Sequence, residues 1–238
     1  MPSVDDLRIK LYADGADIAS ILKLYQDPMI QGFTTNPTLM RKAGITDYEQ
    51  FSRSLLASVP DRPISLEVFA DDIETMGAQA RKIASWGGNV NVKIPVTNTK
   101  GVMTTPLIRE LASEGIVLNI TAIMTVQQVE RVAEALSPDV PAIVSVFAGR
   151  IADTGVDPIP IMKDSLATLK SKPKAEILWA SPREILNVFQ ADEIGTHIIT
   201  ATPDILNKLK LFGKDLADYS LDTVKMFYSD AIAAGYTI

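Results

Sequence analysis

Short apolar runs that alternate with helix-period stretches, about eight times along the chain, restrict its possible folds more than any other feature. The strand candidates are residues 8–13, 31–35, 63–69, 89–95, 116–121, 142–147, 176–180 and 195–200. Between them, apolar residues recur at three- and four-residue spacing, as from Asp72 to Trp86 and from Val126 to Leu136. Strand and helix in regular alternation predict a parallel sheet. Roughly eight such units in 238 residues predict a closed (β/α)8 barrel, a TIM barrel, as a single domain over 1–238. An open sheet of flavodoxin-like order is the main competitor, but no Gly-x-Gly-x-x-Gly or Walker loop supports nucleotide binding. Residues 214–238 are surplus to eight units and form an additional C-terminal helix, with Leu216, Tyr219, Val224, Phe227 and Ile232 as an apolar stripe. That tail either packs across its own barrel or crosses to a neighbouring subunit.

Composition removes whole classes of chemistry. With no cysteine there are no disulfides, thiolate nucleophiles or Cys-ligated metal sites, and the single histidine, His197, excludes a site of two or three imidazoles. Twenty-three Lys and Arg against 29 Asp and Glu give a net charge of −6, which argues against a general nucleic-acid partner. The start MPSVDDLRIKLYADGAD lacks the basic and apolar regions of a signal peptide, and no apolar run approaches the ~20 residues of a membrane span. The expectation is a cytoplasmic protein with no membrane partner.

Strands covered on both faces should read as continuous apolar runs, and several of these do not. In Asn89–Pro95, Val90, Val92 and Ile94 share one face while Asn91 and Lys93 share the other. Leu66 and Val68 oppose Ser65 and Glu67; Leu118 and Ile120 oppose Asn119 and Thr121; Tyr12 and Asp14 fall together. Period two fixes these faces, so if the aliphatic sets pack under helices, the polar sets point into the barrel. Each polar set ends near the carboxyl end of its strand, where barrels keep their chemistry.

Several of these residues admit a structural reading beside a functional one. Asn91, Asn119 and Ser65 read as satisfied structural groups. Lys93 is different, because an interior ammonium is costly unless paired, and a neutral amine is a nucleophile for carbonyls. The alternative is a buried Lys93–Glu67 ion pair with only a structural role. Asp14 reads either as a functional acid or as the cap of a helix over 15–26. His197 reads as a packing residue. Arg150 and Arg183 follow strands six and seven, and Ser181, Pro182 and Glu184 read as a helix start that, with the two arginines, would cradle phosphate.

Taken together, these residues resemble the transaldolase family, particularly its short single-domain members. Thr34-Thr-Asn-Pro-Thr38 resembles its Thr-Thr-Asn-Pro-Ser/Thr signature, and Val92-Lys-Ile-Pro95 resembles its Schiff-base lysine motif. Asp14, Glu67, Thr121 and Ser145-Val-Phe-Ala-Gly-Arg150 fit in the same order, collinear from about Leu11 to Arg183. The resemblance implies a (β/α)8 barrel without a cofactor or metal, in which Lys93 forms an imine with a ketose phosphate. By it, Asp14 takes the C4 hydroxyl proton, and Glu67 and Thr121 handle the water of imine formation and hydrolysis. Thr35, Asn36, Ser145 and Phe147 line the substrate site, and Arg150, Ser181 and Arg183 hold phosphate. The partners implied are small sugar phosphates of the pentose phosphate type and further copies of the chain, in a pentamer or decamer.

Fructose-6-phosphate aldolases are the nearest rival, but they carry glutamine, alanine and tyrosine where Glu67, Ser145 and Phe147 stand. Gly15 and Met124 depart from the family, which often has threonine and an aromatic there. The reading from another class is a non-catalytic sugar-phosphate-binding barrel.

Overall fold

Eight parallel strands follow one another around a closed sheet in chain order. They are β1 (Lys10–Asp14), β2 (Ile30–Thr34), β3 (Ile64–Glu67), β4 (Val90–Pro95), β5 (Leu118–Ile123), β6 (Ala142–Val146), β7 (Ala175–Trp179) and β8 (Ile198–Ala201). These come from a computed structural model that describes residues 4–238. β8 pairs back onto β1, with Leu11 opposite Ile199 and Tyr12 opposite Thr200, so the sheet has no edge and the open flavodoxin-like order is excluded.

The helices are α1 (Ile18–Tyr25), α2 (Pro37–Lys42), α3 (Tyr48–Ser58), α4 (Ile73–Ala84), α5 (Thr105–Ser113) and α6 (Val126–Ala135). They continue as α7 (Ala148–Asp153), α8 (Pro158–Thr168), α9 (Leu186–Glu193), α10 (Pro203–Leu206) and α11 (Leu216–Ala233). Local chemistry starts many of them. Asp17, Asn36, Asp47, Asp72, Thr125, Asp157 and Asp215 each accept a backbone N–H of the first turn, satisfying a donor that the helix leaves orphaned. Proline opens α2, α8 and α10, where its missing N–H costs nothing.

The main core lies between sheet and helices. Leu66, Val92, Ile94, Leu118, Ile120 and Val144 are buried there, with Met76, Ala80 and Ile83 of α4 and Val129 and Val132 of α6. Fully burying one such aliphatic side chain contributes about 1.5–3 kcal/mol. A smaller apolar cluster of Tyr12, Ile143, Leu178, Ala180 and Ile198 fills the barrel interior. Gly32 makes room for it, since a Cβ there would stand 2.5 Å from the Tyr12 ring. Polar residues occupy the interior above this plug.

α11 has no buried residue. Val224, Phe227 and Ile232 are each 60% exposed or more, so the tail does not pack across its own barrel. No helix among the described residues is long and apolar enough to cross a membrane.

Candidate active site

The carboxyl ends of the strands surround a cavity of about 600 Å³. Strand parity puts the polar side chains there. Glu67, Lys93 and Asn119 stand side by side at one level, because Lys93 pairs with Glu67 across β3–β4 and with Asn119 across β4–β5. Every residue that the resemblance assigns to the site lines the cavity except Thr35. Thr35 takes part through its backbone: its carbonyl accepts from Lys93 Nζ at 2.9 Å, while its hydroxyl donates to the Ser65 carbonyl at 3.0 Å.

Lys93 is buried at 7% exposure, and its Nζ lies 3.0 Å from Glu67 Oε2. The amine is therefore not the unpaired interior charge that desolvation alone would neutralise. A carboxylate stands beside it within hydrogen-bond reach.

Asp14 closes β1 and is not a helix cap. Asp17 caps α1 instead, accepting from Ser20 N at 2.8 Å. The Asp14 carboxylate accepts from Thr34 Oγ1 at 2.8 Å and from Asn36 Nδ2 at 3.4 Å. Desolvation raises its pKa above the ordinary aspartate range; the Lys93 charge and the Thr34 hydrogen bond pull against this, and Glu67 adds to it. Thr34 Oγ1 lies 2.6 Å from Thr200 Oγ1 of β8, and since the one Thr34 proton goes to Asp14, Thr200 is the donor of that pair. Thr34 and Thr200 were missed as site residues, although period two carried from Gly32 and from Ile198 points both inward. Asn36 is held from two sides, because its Oδ1 also caps α2 by accepting from Leu39 N at 2.9 Å.

Across the cavity, Ser145 Oγ donates to Asn119 Oδ1 at 2.6 Å, and Asn119 Nδ2 donates to Ser65 Oγ at 2.9 Å. This chain fixes the orientation of the Asn119 amide, so Asn119 lines the site as well as satisfying its own interior groups. Thr121 Oγ1 is buried without a hydrogen-bond partner among the described residues. The next residue, Ala122, adopts φ +63°, and the β5–β6 register shifts between Ile120 and Ile123. That bulge turns Ala122 into the cavity wall and interrupts the ladder beside the free hydroxyl.

Arg150 and Arg183 line the opposite rim. The Arg150 guanidinium stands 5.7 Å from the Phe147 ring centroid, and Arg183 pairs with Asp153. The helix start expected at Ser181 does not form. Ser181 has φ +59°, α9 begins only at Leu186, and the Asn187 side chain accepts from Arg183 N and Glu184 N instead. The cause is tertiary: the Ser181 carbonyl lies where a Cβ on Gly149 of α7 would be, 1.5 Å from it, and Gly149 N donates to Ala180 O at 3.3 Å. The rim thus offers two arginines without a helix amino terminus at Ser181.

His197 sits away from the cavity. Its Nδ1 accepts from Ile177 N at 3.0 Å, and burial lowers its pKa, as a packing imidazole requires. Of the two departures from the family pattern, Gly15 has open space around its Cβ position, and Met124 lines the cavity mouth.

The family model described as Transaldolase/Fructose-6-phosphate aldolase matches residues 11–236. A "Probable transaldolase" of Dehalococcoides mccartyi is 34% identical over 202 residues, covering 84% of this chain and 90% of that one. Another "Probable transaldolase", of Ruegeria pomeroyi, is 32% identical over 231 residues, covering 97% of this chain and all of its own. Among solved structures, QR15, an aldolase, superposes with a TM-score of 0.57 at 10% identity, covering 87% of this chain and 99% of that one. At that identity it shows the likeness of fold alone.

Proposed function

The chain belongs to the transaldolase/fructose-6-phosphate aldolase family, enzymes of the class I aldolase type, and from that premise we propose that Lys93 is its Schiff-base nucleophile. The observation that carries this reading is that buried Lys93 opens onto the cavity at the carboxyl ends of the strands together with Asp14, Glu67 and Thr121, with Glu67 3.0 Å from its Nζ. Glu67 takes a proton from Nζ, and the free amine attacks the ketone of a donor such as fructose 6-phosphate or sedoheptulose 7-phosphate. The carbinolamine then loses water, with Glu67 supplying the proton to the departing hydroxyl, and a protonated imine results.

Asp14 then accepts the C4 hydroxyl proton while the C3–C4 bond breaks. The bond's electron pair moves into the imine, leaving an enamine on Lys93 and releasing an aldose phosphate. Addition of the enamine to an acceptor aldehyde reverses these steps, with Asp14 returning its proton to the new hydroxyl. Water held by Glu67 and the free Thr121 hydroxyl hydrolyses the new imine. The raised proton affinity of Asp14 suits a group that must both accept and return a proton. Asn36 and Ser145 hold the retained dihydroxyacetone unit, Phe147 lines its pocket, and Arg150, Ser181 and Arg183 bind phosphate. The protonated imine is itself the electron sink, which explains why the chemistry needs no cofactor.

Reduction with borohydride in the presence of fructose 6-phosphate, followed by peptide mapping, tests this reading. The expected result is a three-carbon adduct on Lys93; its absence with every ketose donor supports a silent sugar-phosphate-binding barrel instead. Lys93→Met removes the amine at nearly constant volume and should abolish turnover while preserving the fold. Retained turnover would assign the chemistry to another lysine. Glu67, Ser145 and Phe147 favour transfer over release, so donor cleavage should depend on an acceptor such as erythrose 4-phosphate. Rapid liberation of free dihydroxyacetone without acceptor would favour the aldolase reading.

The exposed apolar side chains of α11 support a homo-oligomer, a pentamer or decamer, in which this helix lies on a neighbouring copy. A monomer in light scattering would refute that assembly. A chain without cysteine agrees with a cytoplasmic location.

A further inference from the structure

The two rim arginines are held very differently. The Arg150 guanidinium makes no ion pair or hydrogen bond among the described residues and rests over the Phe147 ring. Arg183 is engaged along one whole edge: its Nε donates to Asp153 Oδ1 at 2.8 Å and its Nη2 donates to Asp153 Oδ2. A guanidinium has five N–H donors in a fixed fork, so this grip leaves Nη1 unengaged. Asp153 itself breaks a local rule. It is the last residue of α7, at the carbonyl end of a helix, where a carboxylate is electrostatically disfavoured. Arg183 compensates it, and the pair spans from α7 to the segment after β7.

We propose that Asp153 is a positioning residue for the anion-binding rim, fixing Arg183 side-on so that Nη1 is left for the substrate phosphate. This rests on the phosphate role given above to Arg150 and Arg183. Half of the Arg183 side chain is exposed, and no other acceptor among the described residues holds its guanidinium, so without Asp153 the group has no fixed orientation. The backbone contact of Gly149 with Ser181 brings the two segments together, and the ion pair then sets where the charge points. Hydrogen bonds from Arg183, and secondarily the Arg150 charge, keep the Asp153 carboxyl below its usual range, so it remains ionised through the neutral pH range.

The test uses sn-glycerol 3-phosphate, which carries the phosphate but no carbonyl for Lys93. Titration calorimetry on the intact protein should show binding weakened about tenfold in Asp153→Ala, the worth of one oriented charge-assisted contact. Asp153→Asn keeps an oxygen that accepts from Nε and should restore most of that loss. In turnover, Asp153→Ala should raise KM about tenfold for erythrose 4-phosphate with little change in kcat, and should leave KM for unphosphorylated glyceraldehyde where it was. Unchanged or tighter glycerol phosphate binding in Asp153→Ala overturns the proposal, since Asp153 would then only offset charge. An equal KM rise with glyceraldehyde also overturns it, by showing a general structural role. If wild type binds glycerol phosphate but forms no adduct at Lys93, the Schiff-base reading fails, and the binding series alone still judges Asp153.

Discussion

Replacing Gly149 with alanine would put a methyl carbon 1.5 Å from the Ser181 carbonyl oxygen and 2.6 Å from its carbonyl carbon. Carbon and carbonyl oxygen approach to about 3.3 Å at the closest. The gap must therefore open by roughly 1.8 Å, and both sides of it are backbone, so no side chain can rotate to absorb it. Overpacking of this kind costs about 1–3 kcal/mol, which at this chain length lowers the melting temperature by about 2–4 °C per kcal/mol. The functional loss should be larger. α7 carries Arg150, and the displaced segment carries Ser181 and Arg183, so the two halves of the proposed phosphate rim move apart. A displacement of about 1 Å can cost a hundredfold in rate, so kcat/KM with a phosphorylated acceptor should fall about 100-fold. Urea unfolding and steady-state kinetics measure both effects, with Gly88→Ala as the control because nothing stands within 4 Å of its Cβ position. Wild-type stability and wild-type kcat/KM in Gly149→Ala would refute the close approach on which this rim is built.

Asp14→Asn should abolish turnover yet stabilise the fold at pH 7 by about 1 kcal/mol, the scale of a relieved buried polar mismatch. Because folding raises the Asp14 pKa, the native state binds the extra proton and wild type loses stability as pH rises above the unfolded value near 3.8; the two proteins should converge below that pH in thermal melts. His197→Ala strands the Ile177 N–H and should cost about 1–3 kcal/mol in urea unfolding while kcat stays near wild type, which a catalytic imidazole would not permit.

The parts of this molecule that repeat were legible in its sequence. Side-chain parity along a strand depends only on local geometry, so Lys93 with Asn91, Glu67 with Ser65, and Thr121 with Asn119 could be assigned to the inner face before any contact was known. Parity in β2 and β8 also pointed to Thr34 and Thr200, but hydroxyls on apolar strands read as filler until their hydrogen bond to Asp14 is seen.

What sequence could not resolve were choices between two local candidates made by distant atoms. Asp14 and Asp17 both stand before α1, and only the Ser20 N–H contact identifies Asp17 as the cap. Ser181-Pro-Arg-Glu184 has the composition of a helix start, yet the contact with Gly149, more than 30 residues earlier, forces a left-handed turn there. The partner of Lys93 was one of two readings, because spacing along separate strands does not fix the barrel register that sets Glu67 beside it.

The plug of Tyr12 against Gly32 turns the barrel into a cup with a solid bottom and one open mouth. In the proposed mechanism, the first aldose phosphate must exit through the opening by which the next aldehyde arrives. The two aldehydes therefore use the same room in turn, and the kinetics should be ping-pong, with parallel double-reciprocal lines for donor and acceptor.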